Sequence, residues 1–386
     1  MTRRPHFLTF GAPYLEDREI DEVARTMRSG WLGTGPKVMQ FERDFTRYKG
    51  DTYHPVAVNS CTAALHVSMV AAGLNRGDEV ITSALTFCAT ANSIIHAGLT
   101  PVVADVDPTS MNIDPEDVAA RITSRTRAII PVHFAGRACD MDRLSALATT
   151  HHLKVIEDCA HAVETTYHGR PAGTFGEFGC FSFYVTKNVA TGEGGMILAR
   201  RPEDADRCKV LSLHGMSKDA WKRYGDGGYK HYQVVECGFK YNMMDLQAAI
   251  GLHQLERVDR CWTTRQAIWQ TYNDAFATLP VTVPAPPEPD TRHAYHLYTI
   301  LIDEGKAGIS RDRFLDAMTA RNIGVGVHYL SLPEHPYYQN QFGWSPAQYP
   351  HATRIGRQTV SLPISAKLTP DDVRDVIDAV TEVLAS

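Results

Sequence analysis

The sequence predicts an α/β protein with a large domain on a mostly parallel sheet (residues 1–255) and a smaller α+β C-terminal domain (256–386). The first observation is a repeating pattern. From Val56 onward, apolar strand-like runs alternate with helix-period segments, as in sheets whose strands are joined by crossover helices. The second is size: 386 residues exceed what one hydrophobic core usually serves. The third is the proline-rich stretch Pro280 to Pro289, an extended surface connector after which the pattern turns α+β.

Composition narrows the function classes. With 44% apolar and 22% charged residues, the chain is an ordinary globular protein. A net charge of −5 gives no electrostatic case for nucleic acid. The 8 cysteines form no Cys-x-x-Cys pair and several fall in apolar runs, so reduced thiols are expected rather than disulfides or zinc. No apolar run is long enough for a bilayer and the first residues lack a signal-peptide core, so no membrane role and a cytoplasmic location are expected.

In chain order, Ile20, Val23 and Met27 recur at helical spacing, and Gly30 stops that helix. A Gly/Pro loop from Trp31 to Pro36 precedes a second amphipathic helix, Val38 to Tyr48. Ala57-Val58 is a strand leading into a helix that runs from Thr62 to about Ala72. Strand runs follow at Val80, Pro101–Val106, Ala128–Val132, Lys154–Ile156 and Cys180–Phe183. Asp245 to about Leu279 reads as one long helix. Ser310–Arg313 starts a helix, Val325–Tyr329 reads as a short strand, and Thr369 caps a helix with proline at its first position.

The chemistry gathers where strand runs end, the usual ligand-binding edge of such sheets. The run Cys180–Val185 delivers Lys187, and the turn Gly192-Glu-Gly-Gly195 follows. A lysine amine in a poorly solvated pocket has a lowered pKa and becomes nucleophilic. On this stretch alone, a lysine snorkelling to water is the commoner reading, since most lysines are solvated. Val155-Ile-Glu-Asp158 ends a strand in a carboxylate, and Ser60-Cys61-Thr62 begins a helix whose N-terminus suits an anion. Asp158-x-x-His161 lacks further ligands nearby, so no metal is expected.

A lysine, a carboxylate and an anion-binding helix start are what pyridoxal phosphate requires of a protein. Here the sequence resembles the DegT/StrS-type sugar aminotransferases, fold-type-I enzymes that use pyridoxal 5'-phosphate. The resemblance runs from Trp31-Leu-Gly-Thr-Gly-Pro36 to Ser361–Leu368. It is most specific at Phe181-Ser-Phe…Lys187…Gly192-Glu-Gly-Gly-Met196.

The resemblance implies that Lys187 is the Schiff-base lysine and proton carrier. Asp158 would pair with the pyridine nitrogen, Phe87 stack on the ring, and His161 lie beside the ring or its 3'-oxygen. Cys61, Thr62 and Ser182 would hold the phosphate. Lysine at 187 argues against the related sugar 3-dehydratases, which resemble this family but carry histidine there. Gly238-Phe-Lys240-Tyr-Asn242 departs from the family's Gly-x-Asn-Tyr-Arg segment, which comes from the partner subunit of a homodimer. Lys240 is the expected phosphate contact.

Trp31, Thr34, His328 and Tyr329 match segments bordering the sugar pocket. Lys218 and Arg223, beside Trp221 and Tyr224, suit a diphosphate and a base, although a charged surface helix reads the same way. The implied reaction is amination of a keto carbon of a nucleotide-linked deoxysugar, with L-glutamate as donor and the pyridoxamine form between the half-reactions. C4 is favoured by the Phe-Lys-Tyr-Asn variant and by the stretch Trp221-Lys222-Arg223-Tyr224. C3 or an aminocyclitol ketone is the alternative, followed by a dehydratase or a non-catalytic regulatory protein of the same fold.

Overall fold

The structure is a computed structural model that describes residues 4–217 and 232–385. Seven strands make the central sheet: β1 (His54–Val58), β2 (Glu79–Ser83), β3 (Thr100–Ala104), β4 (Thr126–Ile130), β5 (Lys154–Asp158), β6 (Phe178–Ser182) and β7 (Gly195–Ala199). Their order is β1-β7-β6-β5-β4-β2-β3. The pairs from β3 through β6 are parallel; β7 runs antiparallel to both β6 and β1. Residues of β2, β6 and β7 are buried along their whole length, as expected for a sheet covered by helices on both faces.

Four helices matter for the site: α1 (Asp17–Ser29), α2 (Pro36–Tyr48), α3 (Cys61–Ala71) and α4 (Cys88–His96). Helix α3 is apolar all round and lies inside a core with Val56, Ile156, Phe178 and Ile197. Helix α1 forms where its periodicity predicts, but its apolar stripe faces outward. Glu19, Glu22 and Thr26 point inward, while Ile20 and Met27 are each 60% exposed. The inward carboxylates are matched: Glu19 pairs with Arg257 at 2.5 Å, and Glu22 pairs with Lys37.

The long helix expected from Asp245 is two helices, Asp245–Glu256 and Val258–Phe276. They break at Arg257, whose guanidinium is held by Glu16, Glu19 and the Tyr14 carbonyl. The second helix enters a separate core with Tyr298, Phe314, Val360 and the inward face of the helix Pro370–Ala385. A two-stranded antiparallel sheet, β8 (Tyr298–Leu301) with β9 (Thr359–Leu362), sits in that core.

The first described residues lie against this second unit rather than the large one. Arg4 pairs with Asp372 and Asp375, and Leu8 bridges Ile323. The strand expected at Val325–Tyr329 is irregular, with single bridges at Ile323 and Gly326. Gly324 approaches Leu8 so closely that a Cβ would lie 2.7 Å from the Leu8 carbonyl oxygen. Among the described residues, no helix is long and apolar enough to cross a membrane.

Candidate active site

One cavity of about 500 Å³ opens at the carboxyl ends of the parallel strands. Cys61, Thr62, Phe87, Asp158, His161, Ser182, Lys187, His328 and Tyr329 all line it, so most of the sequence-predicted site residues converge. Trp31, Thr34 and Lys240 do not line it. The Trp31 indole donates to the Thr34 carbonyl, Thr34 Oγ1 donates to the Met243 carbonyl, and Lys240 Nζ donates to Asn242 Oδ1 at 2.5 Å. Lys218 and Arg223 lie outside the described residues.

The floor is built by strand ends. Ser182 closes β6 opposite Gly195, the first residue of β7, which also pairs with Val58 at the end of β1. Glycine is required at 195, because a Cβ there would lie 2.5 Å from the Ser60 carbonyl carbon. That close approach seats the start of α3 beside Ser182. The Ser60 hydroxyl caps the helix by accepting from the Ala63 N–H at 3.1 Å. The Cys61 and Thr62 amides remain without an intrahelical acceptor and bear the positive end of the helix dipole. Gly192 turns the chain with a φ of 82°, a left-handed conformation that suits glycine.

Asp158 is buried and forms no ion pair among the described residues. Its Oδ1 accepts from the Ala160 N–H at 3.1 Å and its Oδ2 from the Thr90 hydroxyl at 2.9 Å. Burial pushes its pKa above the usual carboxylate value, and these donors with the nearby Lys187 only partly offset that. Lys187 is half-buried; its backbone N–H donates to the Tyr184 carbonyl at 2.8 Å. Desolvation brings its amine down to about 8, against opposing pulls from Cys61 and Asp158.

His161 is held neutral. Its Nδ1 accepts from the Ala135 N–H at 3.2 Å, so the ring proton is on Nε2, 3.1 Å from the Tyr329 hydroxyl. Burial, then Lys187, places its pKa well below 6.5. The same causes bring His328 down to about 4; its Nδ1 lies 2.8 Å from the Ser361 hydroxyl. Phe87, the residue preceding α4, is 57% exposed and its ring centroid lies 5.8 Å from that of Tyr329.

Sequence reasoning missed Thr86 and Thr90, which also line the cavity. Their signal was faint: two hydroxyls four residues apart flanking Phe87. His133, Glu157 and Cys159 also cluster within 4.8 Å of one another. Glu157 and His133 are already engaged, since Glu157 accepts from three backbone N–H groups and from His133, whose Nδ1 accepts from the Cys139 N–H.

These features fit pyridoxal phosphate. A buried carboxylate without a cationic partner complements a ring N–H⁺, free helix-start amides complement a phosphate, and a lysine of lowered pKa faces both. Together, sheet and site define a pyridoxal-phosphate-dependent transferase of fold type I. The chain belongs to the DegT/DnrJ/EryC1/StrS aminotransferase family, whose profile matches residues 13–381.

It is 50% identical to the spore coat polysaccharide biosynthesis protein SpsC of Bacillus subtilis over 383 residues, 99% of this chain and 98% of that one. Among solved structures it is similar to Spr1654 of Streptococcus pneumoniae, described as a sugar aminotransferase. That match has 31% identity, 98% coverage of each chain and a TM-score of 0.91 for the apo form; pyridoxal phosphate and pyridoxamine phosphate forms are also solved. It is also similar to DesI, solved in the presence of its TDP-sugar product, with 31% identity, 99% and 93% coverage and a TM-score of 0.87. The cofactor of this family, and of this chain, is pyridoxal phosphate.

Proposed function

We propose that this aminotransferase moves an amino group from L-glutamate to the C4 keto carbon of a nucleotide-linked deoxysugar. The observation that carries the reading is the convergence of Lys187, Asp158 and the α3 N-terminus on one cavity. Bound there, pyridoxal phosphate supplies an electron sink and carries the amino group between the two half-reactions. The Cys61 and Thr62 amides, the Thr62 hydroxyl and Ser182 hold its phosphate. Asp158 would pair with the pyridine nitrogen and hold a proton there, and Phe87 would cover the ring.

Lys187 would anchor the cofactor, and as a free amine it can carry a proton at Nζ, for which a pKa near 8 is well matched. His161, neutral and donating from Nε2, fixes the Tyr329 hydroxyl, leaving that hydroxyl's own proton for an acceptor in the cavity.

A nucleotide sugar is supported by DesI, whose structure was solved in the presence of its TDP-sugar product, and a polysaccharide pathway by the relative SpsC. C4 rests on the Phe239-Lys240-Tyr241-Asn242 variant. A homodimer is supported by the outward apolar face of α1, with Met39, Trp31 and Met244 also exposed. In it, Lys240 of each chain would reach the other's phosphate. The cytoplasm is the proposed location.

Borohydride reduction of the yellow protein followed by digestion should place the tag on the peptide containing Lys187. A tag elsewhere, or none, overturns the assignment. UDP-, dTDP- and GDP-linked ketosugars assayed with glutamate and glutamine would then test the substrate. Product carrying the new amine at C3, or a product that has lost water without gaining one, would refute the C4 reading.

A further inference from the structure

Asp158 does not stand alone in the cavity wall. Its Oδ2 accepts from Thr90 Oγ1 at 2.9 Å, and Thr90 Oγ1 lies 3.0 Å from Thr86 Oγ1. All three side chains are buried. A hydroxyl has one proton to give. Ionised, Asp158 can only accept, so Thr90 spends its proton there and must accept from Thr86. The chain therefore has a fixed direction, Thr86 to Thr90 to Asp158. Thr90 sits in the first turn of α4, three residues after Phe87. One short piece of backbone thus carries both the ring that covers the cavity and the hydroxyl that orients the carboxylate beneath it.

We propose that Thr90 is a positioning residue that aims the Asp158 carboxylate at the cofactor's pyridine nitrogen, with Thr86 fixing the direction of its hydroxyl. This rests on the reading of Asp158 as the partner of that nitrogen. Ala160 N–H holds the other oxygen, with the Cys61 thiol 3.9 Å from it as well, so the carboxylate plane is defined by donors on both sides, and only Thr90 serves Oδ2. Removing Thr90's donor leaves it pinned at one oxygen only. The buried acceptor then loses a charge-assisted bond in a place where water does not readily substitute.

The test compares Thr90→Val, which keeps shape and loses the hydroxyl, with Thr90→Ser, which keeps the hydroxyl. Three readouts are taken: cofactor affinity by titration of the apoprotein, the absorbance spectrum of the bound cofactor, and thermal melting of the apoprotein. Thr90→Val should weaken cofactor affinity about tenfold or more and alter the spectrum, beyond what the modest fall in apoprotein melting from losing one buried hydrogen bond accounts for. Thr90→Ser should restore affinity and spectrum to within about threefold of wild type. Thr86→Val should shift affinity in the same direction by less, about threefold.

Equal affinity and spectrum in Thr90→Val and wild type would overturn the proposal, as would failure of serine to rescue. Loss of apoprotein stability in Thr90→Val that accounts for the affinity change would also overturn it, because the role would then be structural. If wild type itself forms no coloured complex, the cofactor reading falls instead, and the two failures are told apart.

Discussion

Glu157 and Asp158 are consecutive carboxylates on β5, both buried, yet they behave in opposite ways. Successive strand residues point to opposite faces of the sheet, so the two side chains meet different neighbours. Burial pushes both upward. Around Glu157, the His133 ring and the amides of Gly173 and Gly176 outweigh that push and hold it below 4.5. Around Asp158, one amide, one hydroxyl and a more distant lysine do not, and it stays raised. Each face also has its lysine. Lys49 and Lys187 are both brought down to about 8 by burial. Lys49 donates to the Val163 carbonyl at 3.0 Å and lies over the Phe181 ring, whereas the Lys187 amine has no hydrogen-bond partner among the described residues. One face is saturated and structural; the other is left short of partners, which is the state a ligand completes.

The largest expected effect lies on the open face. Lys187→Ala should lower transamination with glutamate by at least ~10²–10⁴, with apoprotein melting close to wild type. Activity near wild type would remove the distinction between the two lysines.

Exchanging the carboxylates one at a time sharpens the comparison. Glu157→Gln leaves one of the inward N–H groups facing another donor and weakens the rest. It should cost about 2–4 kcal/mol in unfolding experiments. Asp158→Asn should leave the apoprotein as stable or slightly more so, while its cofactor binds weakly and turns over slowly. Equal destabilisation by both variants would mean that the faces do not differ.

Their pH dependence has opposite sign. Glu157, with its folded pKa depressed, stabilises fully above about 4.5, and that contribution fades as pH falls through the folded value. Asp158, with its pKa raised, burdens the apoprotein above its folded value and is relieved as acid protonates it. Apoprotein melts between about pH 3 and pH 7 should therefore show the gap between wild type and Glu157→Gln closing at the acid end. Wild type should gain on Asp158→Asn over the acid limb. Lys187 adds a marker at the alkaline end. Capture of pyridoxal phosphate by the apoprotein needs the neutral amine, so its rate should climb until about pH 8 and then level off. A rate still rising steeply near pH 10 would place the amine in water.

Much of the open face was legible in the sequence because strand ends carry their own signal: an apolar run that stops at a chemically distinctive residue. Asp158, Lys187 and the Ser60–Thr62 helix start were found that way. Thr90 was not, since a threonine near a helix start usually reads as a cap or as filler, and its partner lies 68 positions away. The outward stripe of α1 was invisible for a related reason. Periodicity finds a stripe, but which side it faces depended on Arg257 and Lys37 claiming the carboxylates. The split at Arg257 has the same origin, a tertiary ion pair overriding a continuous helical pattern.

The smallest expected effect is on the saturated face. At neutral pH the folded state must keep Lys49 charged in a place that lowers its pKa, which opposes stability. Lys49→Met removes that burden and keeps the length of the stem over Phe181, but it strips the Val163 carbonyl of its donor, a loss of about 1–3 kcal/mol. Apolar replacement of buried charge typically recovers a similar amount. The two contributions oppose each other, so Lys49→Met should melt within about 1 kcal/mol of wild type and bind cofactor normally. Above pH 8 the wild-type lysine loses its proton in the folded state before the unfolded one does, so wild type should gain on the variant as pH rises. A variant that lost cofactor with its stability intact would tie Lys49 to the open face.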